Sequence, residues 1–220
     1  KAMTDAESGD YNVIIGHLSG QNLTDGSQNI VLGREAFQTS TGGVSNIVIG
    51  HQALQTANHT SNDGSIAIGE LALSAKNLAS GAQFDGATTA IGYQALTALT
   101  SGLGNTAIGY QAGDAMTDNS YNVIMGYQAF SAADSGENQN VVIGYQAGGS
   151  INNASSDNNV LIGMNAAAGG IGLISGCVAI GKNAMDGTDE RNANENVFIG
   201  SDSGGGTWAG QSDYNVAIGA

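Results

Sequence analysis

Three observations predict an all-β fold, a parallel β-solenoid of about twelve short coils. A nine-residue phrase recurs, reading NTAIGYQAG at 105–113 and TTAIGYQAL at 88–96. The glycine closing the apolar run of that phrase returns along the whole chain, at Gly16, Gly33, Gly50, Gly69, Gly92, Gly109, Gly126, Gly144, Gly163, Gly181, Gly200 and Gly219. Successive intervals of 17 to 23 residues are too short for helical crossovers, which take a dozen residues or more besides their turns. One coil per repeat, stacked on its neighbours, satisfies all three. Residues 1–220 are therefore expected to form a single repeat array. A chain that starts at Lys1 and stops just after a repeat motif reads as an excerpt of something longer or as a processed product.

Each repeat begins with a strand. The three residues before every glycine run from Val13-Ile14-Ile15 to Val216-Ala217-Ile218 and are rich in β-branched side chains. Closed by Gly and followed by Ser, Asn, Asp and Gly, they read as strands between turns. They are too short to show the i, i+3, i+4 spacing of a helix. Alternation sends the first and third residues of a strand to one side and the middle residue to the other. The outer pair, almost always Val or Ile, suits the inside of a coil. On that assignment the middle column points outward, through Ile14, Val31, Val48, Ala67, Ala90, Ala107, Ile124, Val142, Leu161, Ala179, Phe198 and Ala217. A column apolar at every rung marks an interface, and these twelve residues are the expected oligomer contact.

Around the strand, equivalent positions line up in columns. Asn12, Asn29, Asn46, Asn105, Asn122, Asn140, Asn159, Asn196 and Asn215 stand four residues before the glycine, with Ser65, Thr88 and Cys177 as exceptions. Stacked amides hydrogen-bond along a β-stack, so this column is architectural. The glycine is expected to permit a turn or a close backbone approach. Tyr93, Tyr110, Tyr127 and Tyr145 follow it on four consecutive rungs, each succeeded by a glutamine. Next in register come alanines from Ala36 to Ala184, consistent with a second, tightly packed wall.

Composition excludes several classes. With 35 Gly but no Pro, the chain lacks the strict period and proline of collagen. At 41% hydrophobic and 11% charged it is too apolar for a disordered chain. No apolar stretch approaches the roughly 20 residues of a spanning helix, so no membrane insertion is expected. A net charge of -14 argues against nucleic acid and anionic membranes as partners.

Chemistry-bearing residues are sparse. His17 and His51 share a column but are separated by Arg34, and His59 stands apart, which does not favour a metal pair. Cys177 sits in the asparagine column and reads as a buried structural thiol. Residues 169–176, GGIGLISG, lack the spacing and following helix of a phosphate-binding loop and read as plain connection. Carboxylates such as Asp114, Asp118, Asp186, Asp189 and Glu190 fall in connections without a repeating ligand spacing, which favours solvation over Ca²⁺. No catalytic residue, cofactor or metal site is assigned. For surface recognition the candidates are Phe84 in the longest connection, Trp208 after a Gly run, and the tyrosines Tyr93, Tyr110, Tyr127 and Tyr145, which either stack on sugar rings or pack at a seam between chains.

The NTAIGYQA unit resembles the head repeats of trimeric autotransporter adhesins and the related repeats of phage and bacterial tail fibres. The resemblance spans residues 12–219. It implies a left-handed β-roll assembled as an intertwined or side-by-side homotrimer, in an extracellular adhesin or a virion appendage. It also implies attachment to a host surface glycan or protein receptor. The repeats here are longer than the compact head repeat, which moves the expectation toward a fibre segment. At about 4.8 Å per rung, twelve rungs make a rod roughly 55 Å long. The similarity of SGDYNVIIG at 8–16 to QSDYNVAIG at 211–219 also suits end-to-end association or a self-stacking filament. Two other classes follow from a solenoid face: an ice or crystalline-surface binder, for which the chain lacks a regular threonine array, and a glycan-cleaving spike built on a carboxylate pair.

Overall fold

A computed structural model describes residues 9–57, 63–76, 87–170, 172–187, 192–206 and 210–219. The described residues contain strands and turns and no helix, so none crosses a membrane as a helix. Twelve strands form one parallel sheet: β1 (Val13–Ile15), β2 (Ile30–Leu32), β3 (Ile47–Ile49), β4 (Ile66–Ile68), β5 (Thr89–Ile91), β6 (Thr106–Ile108), β7 (Val123–Met125), β8 (Val141–Ile143), β9 (Val160–Ile162), β11 (Val178–Ile180), β13 (Val197–Ile199) and β14 (Val216–Ile218). The remaining two, β10 (Ile174–Ser175) and β12 (Ala193–Asn194), pair with each other just ahead of the main sheet. Each main-sheet strand pairs with that of the next rung in unbroken register, as in Thr106↔Val123, Ala107↔Ile124 and Ile108↔Met125. The protein is a β-solenoid. Residues 169–176 depart from the expected plain connection, because Ile174–Ser175 within them is strand β10.

The alternation of the strands is the reverse of the sequence expectation. Val31, Val48, Ala67, Ala90, Ala107, Ile124, Val142, Leu161 and Ala179 are fully buried inside the coil, and Phe198 is nearly so. Ile14 and Ala217, at the two ends of the described stack, are partly buried against the same core. The first and third residues of each strand face outward instead, partly exposed on either side of a fully buried centre. Coil width explains the reversal. A three-residue strand with the middle residue inward spends one side chain on a narrow interior, whereas the other choice would crowd two β-branched side chains into it.

Opposite the strands runs the second wall expected from the alanine column. Ala36, Ala53, Ala72, Ala95, Ala112, Ala129, Ala147, Ala166 and Ala184 are all fully buried. On six of the nine rungs the residue after the alanine completes the filling: Phe37, Leu54, Leu73, Leu96, Phe130 and Met185 are buried, each side chain contributing about 2 kcal/mol by its removal from water. Sizes compensate across the coil. Phe198 faces Gly204, where an added Cβ would lie 2.5 Å from the ring, and Gly113 leaves room for Ile124 and Met116.

Backbone hydrogen bonds hold this wall in step. Gln111 N–H donates to Tyr93 O, and Gln128 N–H to Tyr110 O, both at 2.9 Å, while Phe130 N–H donates to Ala147 O at 2.9 Å. Gln94, Leu96, Gln111, Gln128 and Phe130 adopt left-handed backbone conformations, with φ between 48° and 55°. Such conformations disfavour side-chain-bearing residues, and the ladder bonds offset that cost.

Two columns account for the conserved spacing within a rung. The glycines from Gly16 to Gly200 hold φ between 133° and 142°, and a Cβ on any of them would lie 2.1–2.4 Å from the carbonyl oxygen of the next rung's glycine. No side chain fits there. In the asparagine column, Asn122 Nδ2 donates to Asn105 Oδ1 at 3.2 Å and to Glu137 O at 3.0 Å, while Asn122 Oδ1 accepts from Asn140 N at 2.9 Å and Nδ2 at 3.2 Å. Each buried amide is thus satisfied by its neighbours above and below.

Candidate interaction surface

The inward turn of the middle column leaves the outer pairs to form the outward strand face. One edge of that face is Val13, Ile30, Ile47, Ile66, Thr89, Thr106, Val123, Val141, Val160, Val178, Val197 and Val216. The other runs from Ile15 through Leu32, Ile91, Ile108, Met125 and Ile143 to Ile218. Only Thr89 and Thr106 interrupt its aliphatic character. Stacking covers most of each side chain in the middle rungs, where exposure peaks at 37% for Val123 and 39% for Met125, and it rises on the open end strands to 64% at Ile15 and 75% at Ile218. A continuous apolar stripe does exist, then, but on the columns flanking the predicted one.

Beyond the glycine lies a second surface column. Tyr93, Tyr110, Tyr127 and Tyr145 stack on one another, with ring centroids 5.2, 5.0 and 5.4 Å apart and planes within 15°, 7° and 7° of parallel. They are 39–49% exposed. Stacking covers the ring faces of the two central tyrosines. Faces occupied by each other are not offered to sugar rings, and this weighs against sugar stacking along the middle of the ladder. Beside it, Gln111 Nε2 donates to Gln94 Oε1 at 2.9 Å, Gln128 to Gln111 at 3.0 Å and Gln146 to Gln128 at 3.2 Å. The other two recognition candidates, Phe84 and Trp208, lie outside the described residues.

Toward the N-terminal rungs the same column becomes charged. His51 Nδ1 lies 3.5 Å from Glu70 Oε1 and its Nε2 3.8 Å from Glu35 Oε2. Glu35 Oε1 accepts from Arg34 Nε and Nη2 at 3.0 and 2.8 Å, which, with a further bond from Gln52, holds its carboxyl below the usual range. His17 is exposed two rungs away from His51, and His59 lies outside the described residues. Among the described residues no three His, Cys, Asp or Glu side chains are grouped to hold a metal.

Several polar residues carry roles that the sequence did not disclose. Aspartates of the connections each cap a backbone amide of an adjacent rung: Asp63 Oδ1 accepts from Val44 N at 2.6 Å, Asp118 from Gly136 N at 2.9 Å, Asp157 from Asn138 N at 2.7 Å and Asp213 from Asn194 N at 2.8 Å. Their repeat position, two residues before the asparagine column for Asp63, Asp157 and Asp213, was the available signal. Burial pushes the carboxyls of Asp114 and Asp186 up, whereas Asp189 and Glu190 lie outside the described residues. Glu137 is fully buried and its Oε2 accepts from Asn119 Nδ2 at 2.6 Å; burial pushes its pKa up. Lys76 is buried where the asparagine column is broken, its Nζ donating to Thr88 Oγ1 at 3.0 Å. Cys177 fills its place in that column as a buried thiol: its N–H donates to Asn159 Oδ1 at 2.9 Å and its Sγ to Ala193 O at 3.1 Å.

No family model, characterised protein or solved structure matches the chain.

Proposed function

We propose that this chain is a non-enzymatic fibre module: a β-solenoid rod that associates with further copies of itself, as a homotrimer, and serves attachment to a host or other surface as part of a virion appendage or extracellular adhesin. The observation that carries the reading is the outward strand face, two columns of Val, Ile, Leu and Met that run over twelve rungs with only Thr89 and Thr106 interrupting them. Exposed apolar surface of that extent favours burial against a partner. A periodic partner fits a periodic stripe, and another copy has the same rung spacing. The NTAIGYQA resemblance supports threefold association and an attachment role.

Native mass by light scattering on a size-exclusion column tests it. A value near three times 22.0 kDa is expected. A stable soluble monomer overturns the assembly. A second reading, a crystalline-surface or ice binder, draws on the same periodic face. Against it, that face carries threonine only at Thr89 and Thr106, which is no regular array. Thermal hysteresis in the monomer would favour that second reading.

A further inference from the structure

We propose that Tyr93, Tyr110, Tyr127 and Tyr145 form an oxidative cross-linking site, at which hydrogen peroxide turned over by a haem peroxidase joins tyrosines of adjacent rungs through a carbon–carbon bond. Three observations lead there. The rings are stacked 5.0–5.4 Å apart and nearly parallel, so each phenol lies against the next one in the ladder. They are open to solvent, with 39–49% of each residue exposed. Their backbones are fixed to one another, since the Tyr93, Tyr110 and Tyr127 carbonyls each accept from the following rung's glutamine N–H at 2.9 Å.

The chemistry balances within those groups. Each of two neighbouring phenols gives up one electron and its hydroxyl proton, forming two phenoxyl radicals. Their ortho carbons couple, and the hydrogen on each coupled carbon moves to the phenoxyl oxygen, restoring both aromatic rings and both hydroxyls. The two electrons and two protons reduce one peroxide to two waters. Each link therefore costs the chain two hydrogens and leaves its covalent length unchanged. Holding the partners in place converts an encounter between radicals into a neighbouring-group reaction, the situation in which proximity accelerates coupling most. Half-exposed rings have space to tilt from stacked to edge-joined as the bond forms.

The remaining described tyrosines supply an internal control. Tyr11, Tyr121 and Tyr214 are more exposed than any ladder member, but they stand on rungs remote from one another. Exposure alone directs oxidation to them and yields links between chains. Register directs it to the ladder and yields links within one chain.

The test treats the whole chain with peroxide and a plant haem peroxidase, then maps linked peptides by mass and follows dityrosine emission. Expected products are Tyr93–Tyr110, Tyr110–Tyr127 and Tyr127–Tyr145 links within single chains, each lighter by two hydrogens. Tyr110→Phe is expected to leave only Tyr127–Tyr145. Tyr110→Phe with Tyr127→Phe is expected to abolish all ladder links, because Tyr93 and Tyr145 are three rungs apart. Phenylalanine keeps the stacked ring, and an unchanged circular dichroism spectrum confirms that these variants fold. In denaturant sufficient to abolish that spectrum, with tyrosyl radicals generated photochemically in the folded and unfolded samples alike so that peroxidase inactivation does not enter, the yield of the three pairs is expected to fall at least about tenfold. Links found only between chains, links at Tyr11, Tyr121 or Tyr214 in place of the ladder, or equal yield from the unfolded chain overturn the proposal.

Discussion

Gly109 illustrates how much a single position decides. Its φ of 142° lies in a region that side chains avoid, and a Cβ there would meet the Gly126 carbonyl oxygen at 2.3 Å. Gly109→Ala must both strain the backbone and pry two rungs apart, a loss of about 3 kcal/mol or more expected in chemical denaturation. Glu137 behaves in the opposite sense. It is fully buried, its Oε1 has no hydrogen-bond partner, and burial together with Asp134 and Asp118 raises its pKa against the bond from Asn119. A carboxyl whose folded pKa exceeds its unfolded value favours folding in acid, and that contribution is lost as pH rises from the unfolded pKa through the folded one. Glu137→Gln should therefore raise stability at pH 7 by about 1 kcal/mol and leave stability in acid nearly unchanged. Thermal melts of both proteins across that pH range check the sign. An advantage for Gln that grows on acidification would refute it.

At the scale of the strand, two neighbouring residues answer different questions. Ala107 points into the coil and is fully buried, while Ile108 faces outward beside it. Ala107→Glu buries an unpaired charge, and loss of about 3–5 kcal/mol is expected, enough to unfold the array locally. Ile108→Glu places its charge on the outward face, where the fold of one chain should survive within about 1 kcal/mol. Association through that face should weaken. Light scattering and circular dichroism on the pair separate folding from assembly, and an Ile108→Glu protein that assembles as before removes the strand face from the contact.

This pair also marks where the sequence stopped being informative. The strands, the glycines between them, the asparagine column and the alanine wall were all legible, because each imposes a residue type at a fixed spacing. Which side of the strand turns inward was not. Alternation defines two faces and names neither, and polarity separates them only when one face meets water. Here Ala107 and Ile108 are both apolar, as are their equivalents on the other rungs. Interior width decided the matter, and width is a property of the closed coil. The Tyr ladder is visible in the sequence as a column, but the parallel stacking that covers the ring faces belongs to the folded rungs. Asp10, Asp63, Asp157 and Asp213 share one repeat position, but Ser, Asn, Val, Leu and Gly fill it on the other rungs, which hides the recurrence.

For the molecule as a whole, stability is distributed along one direction. Every main-sheet strand pairs only with its sequence neighbours in that sheet, and the asparagine, glutamine and tyrosine columns likewise connect adjacent rungs. Such an array gains cooperativity through rung-to-rung interfaces rather than through a central core. The breaks in the asparagine column at Ser65 and Thr88 are accordingly places where one inter-rung bond set is replaced by another, with Lys76 reaching Thr88.

The unbroken register has a further meaning for how such a molecule changes size. From one closing glycine to the next, the strand and the wall behind it occupy the same places on every rung, while differences in repeat length are taken up in the connections. Seventeen residues excised between Gly92 and Tyr110 would bring Tyr110 to the place Tyr93 held, with its glutamine and alanine following in step. Length in this protein is counted, like the divisions of a ruler, and additions or losses of whole divisions leave the markings on either side aligned.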